Sequence, residues 1–88
     1  MFDKEKKENF KSLLDENYDW PASYQFKFIV PNDKLDELIS LVGDAEVKTR
    51  PSKNGNYISL TATKKLSSSA DVIDVYERVS TIEGIVSL

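Results

Sequence analysis

The run Arg50-Pro51-Ser52-Lys53-Asn54-Gly55-Asn56-Tyr57-Ile58-Ser59 constrains this chain more than any other stretch, because it sets a turn, a strand register and a sheet edge together. Asn54-Gly55 is the preferred pair for a two-residue type I′ turn, whose central residues both need positive φ. Such a turn places Lys53 opposite Asn56, Ser52 opposite Tyr57, Arg50 opposite Ser59, Thr49 opposite Leu60, Lys48 opposite Thr61 and Val47 opposite Ala62. Polar residues meet polar ones, and apolar residues meet apolar ones or threonine; a one-residue slip would send Val47 and Leu60 to opposite faces. Pro51 has no N–H to give a neighbouring strand, so Ala45 to Ser52 is expected at the sheet edge, with Asn56 to Thr63 as its inner neighbour.

An 88-residue chain forms one domain. A domain of this size buries about 60–65% of its unfolded surface, which argues against a large enclosed active-site cavity. The composition is 40% hydrophobic and 31% charged, with a net charge of -3. No apolar run is long enough for a membrane span, and the start of the chain does not read as a signal peptide. Cysteine and histidine are both absent. That removes disulfides, thiolate nucleophiles, zinc-finger sites and every catalytic triad built on imidazole. The lack of cysteine agrees with a cytoplasmic setting. Nothing in the sequence implies a cofactor or a metal.

Residues 1–19 read as a charged arm in which Phe10, Leu13 and Leu14 keep helical spacing, and residues 20–88 as the folded domain. Trp20-Pro21 stops the arm, because a residue before proline is pushed toward extended geometry. Ala22 to Val30 alternates Tyr24, Phe26, Phe28 and Val30 with Gln25, Lys27 and Ile29, as a strand does, and Pro31 ends it. Asn32 or Asp33 can cap a helix with an apolar stripe of Leu35, Leu38, Ile39 and Val42, and Gly43 suits its C-terminal position. After the hairpin, Leu66 to Ser69 forms a connection. Ser68 or Ser69 then caps a helix built on Val72, Val75, Tyr76 and Val79, with Ile73 and Ile82 widening its stripe. Gly84 releases a last short strand, Ile85 to Leu88.

The order strand, helix, strand, strand, helix, strand is the split βαβ pattern of ferredoxin-like α+β folds. The expectation is a βαββαβ sandwich: a four-stranded antiparallel sheet in the order 4-1-3-2, two helices on one face, and the N-terminal helical arm added. Right-handed crossovers put both helices on that face. Phe26, Phe28, Val30, Val47, Thr49, Ile58, Leu60 and Ala62 then point to the helices. Gln25, Lys27, Ile29, Lys48, Arg50, Ser52, Tyr57, Ser59 and Thr61 point away from them. The helices show solvent the carboxylates Asp33, Asp36, Glu37, Asp71, Asp74 and Glu77, so an acidic chain carries a basic sheet face.

Lys27, Lys48, Arg50, Ser52, Tyr57 and Ser59 are therefore the candidate site, suited to an anionic ligand or an acidic protein partner. Two plainer readings compete. The residues can be an ordinary solvated sheet surface that discourages edge aggregation. Alternatively, the arm's Phe10, Leu13 and Leu14 can cover Ile29 and Tyr57 on this face. Asp33, Asp36 and Glu37 answer a helix dipole more simply than a metal. Ser52 and Ser59 have no histidine to activate them as nucleophiles.

Several of these residues resemble the YbeD-like family of small bacterial proteins of unknown function. The likeness spans about residues 20–88 and rests on Pro21, on Pro51-Ser52-Lys53 with Gly55, Tyr57 and Ser59, and on Val72, Tyr76 and Ile82. The resemblance implies a ferredoxin-like fold similar to ACT-type regulatory domains, and a cytoplasmic setting. No ligand residues of ACT domains transfer, since the glycine-containing turn after their first strand is replaced here by Val30-Pro31-Asn32-Asp33.

Three functions follow as expectations. The first is a non-enzymatic regulatory or protein-interaction module, able to form a homodimer, which uses the sheet face and hairpin. The second is single-stranded RNA binding, a use of this topology that normally needs two or three face aromatics where only Tyr57 is available, and which the overall acidity opposes. The third is an acylphosphatase-like hydrolase using Arg50 and Asn54, which here lack a glycine-rich phosphate loop.

Overall fold

Alternation decides the architecture: along Ala22–Pro31, Phe26, Phe28 and Val30 are buried while Gln25 and Lys27 are exposed. The computed structural model describes residues 3–88; Met1 and Phe2, the start of the arm, lie outside the described residues. Its elements in chain order are α1 (Lys4–Asn17), β1 (Ala22–Pro31), a 3₁₀ turn (Asn32–Lys34), α2 (Leu35–Val42), β2 (Glu46–Pro51), β3 (Tyr57–Leu66), α3 (Ser69–Val79) and β4 (Val86–Ser87). The sheet is antiparallel in the order β2-β3-β1-β4, which is the expected ferredoxin-like order 4-1-3-2 read from the other side.

The register of β2 on β3 is the one expected, with Val47 opposite Ala62, Lys48 opposite Thr61, Thr49 opposite Leu60 and Arg50 opposite Ser59. Pro51 ends the edge strand β2. Strand β3 runs further than Thr63, because β1 pairs with it from Pro31 opposite Tyr57 to Ala22 opposite Leu66. Leu66 is thus not part of the connection but a buried strand end in the core. The last strand is shorter than expected. Ile85 packs against the core before it, and Leu88 N–H donates to the Lys27 carbonyl at 2.9 Å just after it.

The helices differ in how they begin. Ser68 caps α3 as expected, its Oγ accepting from Asp71 N–H at 3.3 Å, while the Asp71 carboxylate accepts from Ser67 N–H at 3.3 Å. Neither Asn32 nor Asp33 caps α2. The 3₁₀ turn intervenes, α2 starts without a side-chain cap, and the Asn32 amide instead donates to the Gly55 carbonyl. At the other end of α2, Gly43 takes φ 72° and the Lys64 ammonium donates to the Val42 carbonyl at 3.1 Å. That bond satisfies one of the carbonyls every helix leaves open at its C-terminus.

The arm does not cover the open sheet face. Helix α1, capped by Asp3, lies in the helix layer beside α3 and buries Leu14 in the common core. Phe10 meets Tyr76 edge-on with ring centroids 5.7 Å apart, and Lys7 pairs with Glu77 at 2.8 Å. Trp20 stacks on Tyr18 at 5.3 Å and donates its indole N–H to Asp15 at 3.0 Å. Phe10 and Leu14 thus find their cover against Tyr76 and the core rather than on Ile29 and Tyr57, while Leu13 stays exposed.

Tyr76 joins these layers. Its ring lies edge-on to Phe10, Phe26 and Phe28, and its hydroxyl lies 3.1 Å from that of Tyr24. Burial, then the hydrogen bond with Tyr24, pushes its phenol well above the ordinary tyrosine range. A raised folded-state pKa makes a contribution to stability that is complete below the unfolded value of about 10 and is lost as pH rises above it. Urea unfolding of wild type and Tyr76→Phe at several pH values should therefore show a stability difference that is constant to about pH 10 and then moves against the wild type. A difference that stayed flat into strong alkali would clear Tyr76. Phe28 is fully buried between the sheet and the helices. Phe28→Ala should cost about 3–5 kcal/mol in the same measurement, a large share of what a small domain has.

Candidate functional site

The loop that joins β2 to β3 carries the candidate face and departs from the expected turn. Gly55 has φ 75°, but no described non-glycine residue has positive φ, so Asn54 cannot occupy a type I′ turn. The chain instead closes a turn from Ser52 to Gly55, with Gly55 N–H donating to the Ser52 carbonyl at 3.0 Å. Ser52 N–H in turn donates to the Tyr57 carbonyl at 2.8 Å. Only glycine then takes the left-handed conformation, which a side chain would resist. The register survives because two-residue and four-residue loops leave the same residues opposite one another.

Two rows of side chains cross the open face from β2 to β4. One runs Arg50, Ser59, Ile29, Val86; the other runs Lys48, Thr61, Lys27, Leu88. Lys48 and Arg50 stand on β2, where the exposed carboxylate Glu46 shares the same side, Lys27 stands on β1, and the apolar Val86 and Leu88 line the β4 edge, 51% and 69% exposed. Lys27, Lys48, Arg50, Ser59, Thr61 and Leu88 line a shallow concavity of about 320 Å³. The ion pairs among the described residues, Lys7 with Glu77 and Arg78 with Asp74, lie on the helix side and leave Lys27, Lys48 and Arg50 without a carboxylate partner.

The six expected site residues fall into two groups. Lys27, Lys48, Arg50 and Ser59 meet at the concavity, whereas Ser52 and the half-exposed Tyr57 stand at the hairpin end of the same face, outside its lining. Both serines also serve the hairpin. Ser59 Oγ donates to the Arg50 carbonyl at 3.3 Å, and Ser52 Oγ accepts from Tyr57 N–H at 3.2 Å. Val86 and Leu88 were not among the expected residues. The alternation of Ile85-Val86-Ser87-Leu88 was the available signal, but it gives parity only, and the pairing with β1 is what turns Val86 and Leu88 to the open side. Among the described residues no group of His, Cys, Asp or Glu is arranged to hold a metal ion, and no helix is long and apolar enough to cross a membrane.

The family described as "Protein of unknown function (DUF493)" matches residues 15–88. The chain belongs to this YbeD-like family. In this YbeD-like chain the match begins within α1 and runs through β4, so it includes both rows of the open face. No curated protein and no solved structure matches the chain.

The turn geometry separates two substitutions that an Asn-Gly turn would make similar. Gly55→Ala should cost about 1–2 kcal/mol, the penalty for an L-residue in the left-handed region. Asn54→Ala should cost less than about 0.5 kcal/mol, as exposed positions away from special backbone geometry do. Urea unfolding measures both, and equal costs would restore the type I′ turn.

Proposed function

We propose that this YbeD-like chain is a non-enzymatic regulatory or protein-interaction module whose open sheet face receives an acidic protein partner. The observation that carries the reading is the pair of rows Arg50-Ser59-Ile29-Val86 and Lys48-Thr61-Lys27-Leu88, where unpaired cations share one exposed face with uncovered apolar side chains.

Magnitudes favour a protein over a small anion. An exposed ion pair contributes about 0–1 kcal/mol, so three cations alone hold an anion no better than about millimolar. Full burial of an aliphatic side chain contributes about 1.5–3 kcal/mol. A partner that meets the cations and also covers Val86 and Leu88 therefore reaches useful affinity where an isolated phosphate or carboxylate does not. The hydroxyls of Ser52 and Ser59 bond the hairpin backbone, and the chain has no histidine or cysteine to activate them, which favours binding over catalysis. A cytoplasmic setting fits the cysteine-free composition.

The test compares wild type with a Lys48→Ala, Arg50→Ala, Tyr57→Ala variant as bait in native cytoplasmic extract. The expected result is an acidic protein retained by the wild type alone, whose addition shifts the amide resonances of residues 48–59 and 86–88. Retention of the same proteins by both baits would show that the face is not the interface, and retention of nucleic acid in place of protein would redirect the reading to RNA.

A further inference from the structure

We propose that the docking element of this partner is an α-helix laid along the strands, with a carboxylate stripe facing β2 and an apolar stripe facing β4; the inference rests on the acidic-partner reading above. The face has a two-dimensional pattern that few segments can match. Along β2, Glu46, Lys48 and Arg50 point to the same side; the cationic stretch is Lys48 and Arg50, two residues and about 7 Å apart, and the exposed Glu46 beyond Lys48 marks where a carboxylate stripe must end. Val86 and Leu88 repeat that spacing along the β4 edge. On a helix, side chains at i and i+4 rise about 6 Å, so one pair of acids and one pair of apolar residues fall into step with the two pairs on the sheet.

The transverse dimension selects the same element. Strand β2 is three strand spacings from β4, about 14 Å, and a helix with its side chains is about 10–12 Å across. A helix centred over β3 and β1 can therefore reach the cations with one flank and Val86 and Leu88 with the other. Lys27, Ile29, Ser59 and Thr61 lie beneath it as a floor of mixed polarity. An added strand would meet the sheet differently. It would pair with the backbone at an edge, where Pro51 removes a donor from β2, and it would leave the rows on the face uncovered.

The site offers a small anion little that is built. Its cations are on exposed residues, and the hydroxyl proton of Ser59 is committed to the Arg50 carbonyl.

The test uses the full chain and two synthetic peptides of one composition, Glu, Leu and Ala, each locked as a helix by a side-chain staple. One carries Glu and Leu at i and i+4 on adjacent flanks; the other has the same residues scrambled around the helix. The patterned peptide should shift the amides of Lys27, Ile29, Lys48, Arg50 and Val86, and bind at least about tenfold more tightly than the scrambled one. Arg50→Glu and Val86→Ser should each weaken it by about the same factor, and a Glu→Lys exchange in the peptide should restore binding to Arg50→Glu. Cross-strand backbone contacts between Lys48 and Thr61 confirm that each variant keeps its fold. Equal binding of the two peptides overturns the helix but leaves the acidic partner standing, as does failure of both while the protein captured from extract still shifts the face. Absence of any shift from peptides and captured protein alike overturns both readings. Shifts from inorganic phosphate or an oligonucleotide alone do the same.

Discussion

The ladder between β1 and β3 is the constraint on which the rest of this structure depends. It runs without interruption from Ala22 opposite Leu66 to Pro31 opposite Tyr57. Each pair commits two side chains to one side of the sheet, so the pairing fixes the core and the open face in one act. Phe26, Phe28, Leu60 and Ala62 go to the helices, while Lys27, Ser59 and Thr61 go to solvent. Slippage by one residue would exchange the two sets and bury lysine. The edge strands only extend this decision, β2 through the hairpin and β4 through its short pairing with β1.

The helix layer then completes the core through aromatic contacts. Tyr76 on α3 touches Phe10 from α1 and Phe26 and Phe28 from β1, and its hydroxyl shares a hydrogen bond with Tyr24. Pairing that hydroxyl matters, because a buried phenol without a partner is costly. No buried side-chain nitrogen or oxygen among the described residues lacks a hydrogen-bond partner. Helix α1 is therefore part of the packing, held by Leu14, Phe10 and the Lys7 pair with Glu77.

What was legible in the sequence follows from which signals are local. The hairpin register could be read because Pro51, Asn54-Gly55 and the apolar alternation all lie within a few residues of one another. The turn type could not, since loops of two and of four residues preserve the same pairing, and the loop held here is tied to the distant Asn32 side chain. The expected end of β3 at Thr63 fell short of Leu66 because the partners of the last residues are distant in sequence, as with the Val42 carbonyl that Lys64 reaches. The periodicity of Phe10 and Leu14 showed that the arm had an apolar side but carried no information about which surface would receive it. Four of the six candidate residues meet at the concavity for the same reason that the register was readable. Val86 and Leu88 were missed because the pairing of β4 is set only after a helical crossover.

The single layer of helices has a consequence for how this surface can change over time. Adjacent residues of β1 answer to different demands: Phe28 is held by the packing of every element around it, while Lys27 beside it touches none of that packing. Substitutions on the open face are nearly free of a folding cost, and those on the helix face are not. One strand thus carries a constrained text and an editable one interleaved residue by residue. Such a scaffold can acquire, exchange or lose a partner through point changes while its own interior remains as it was.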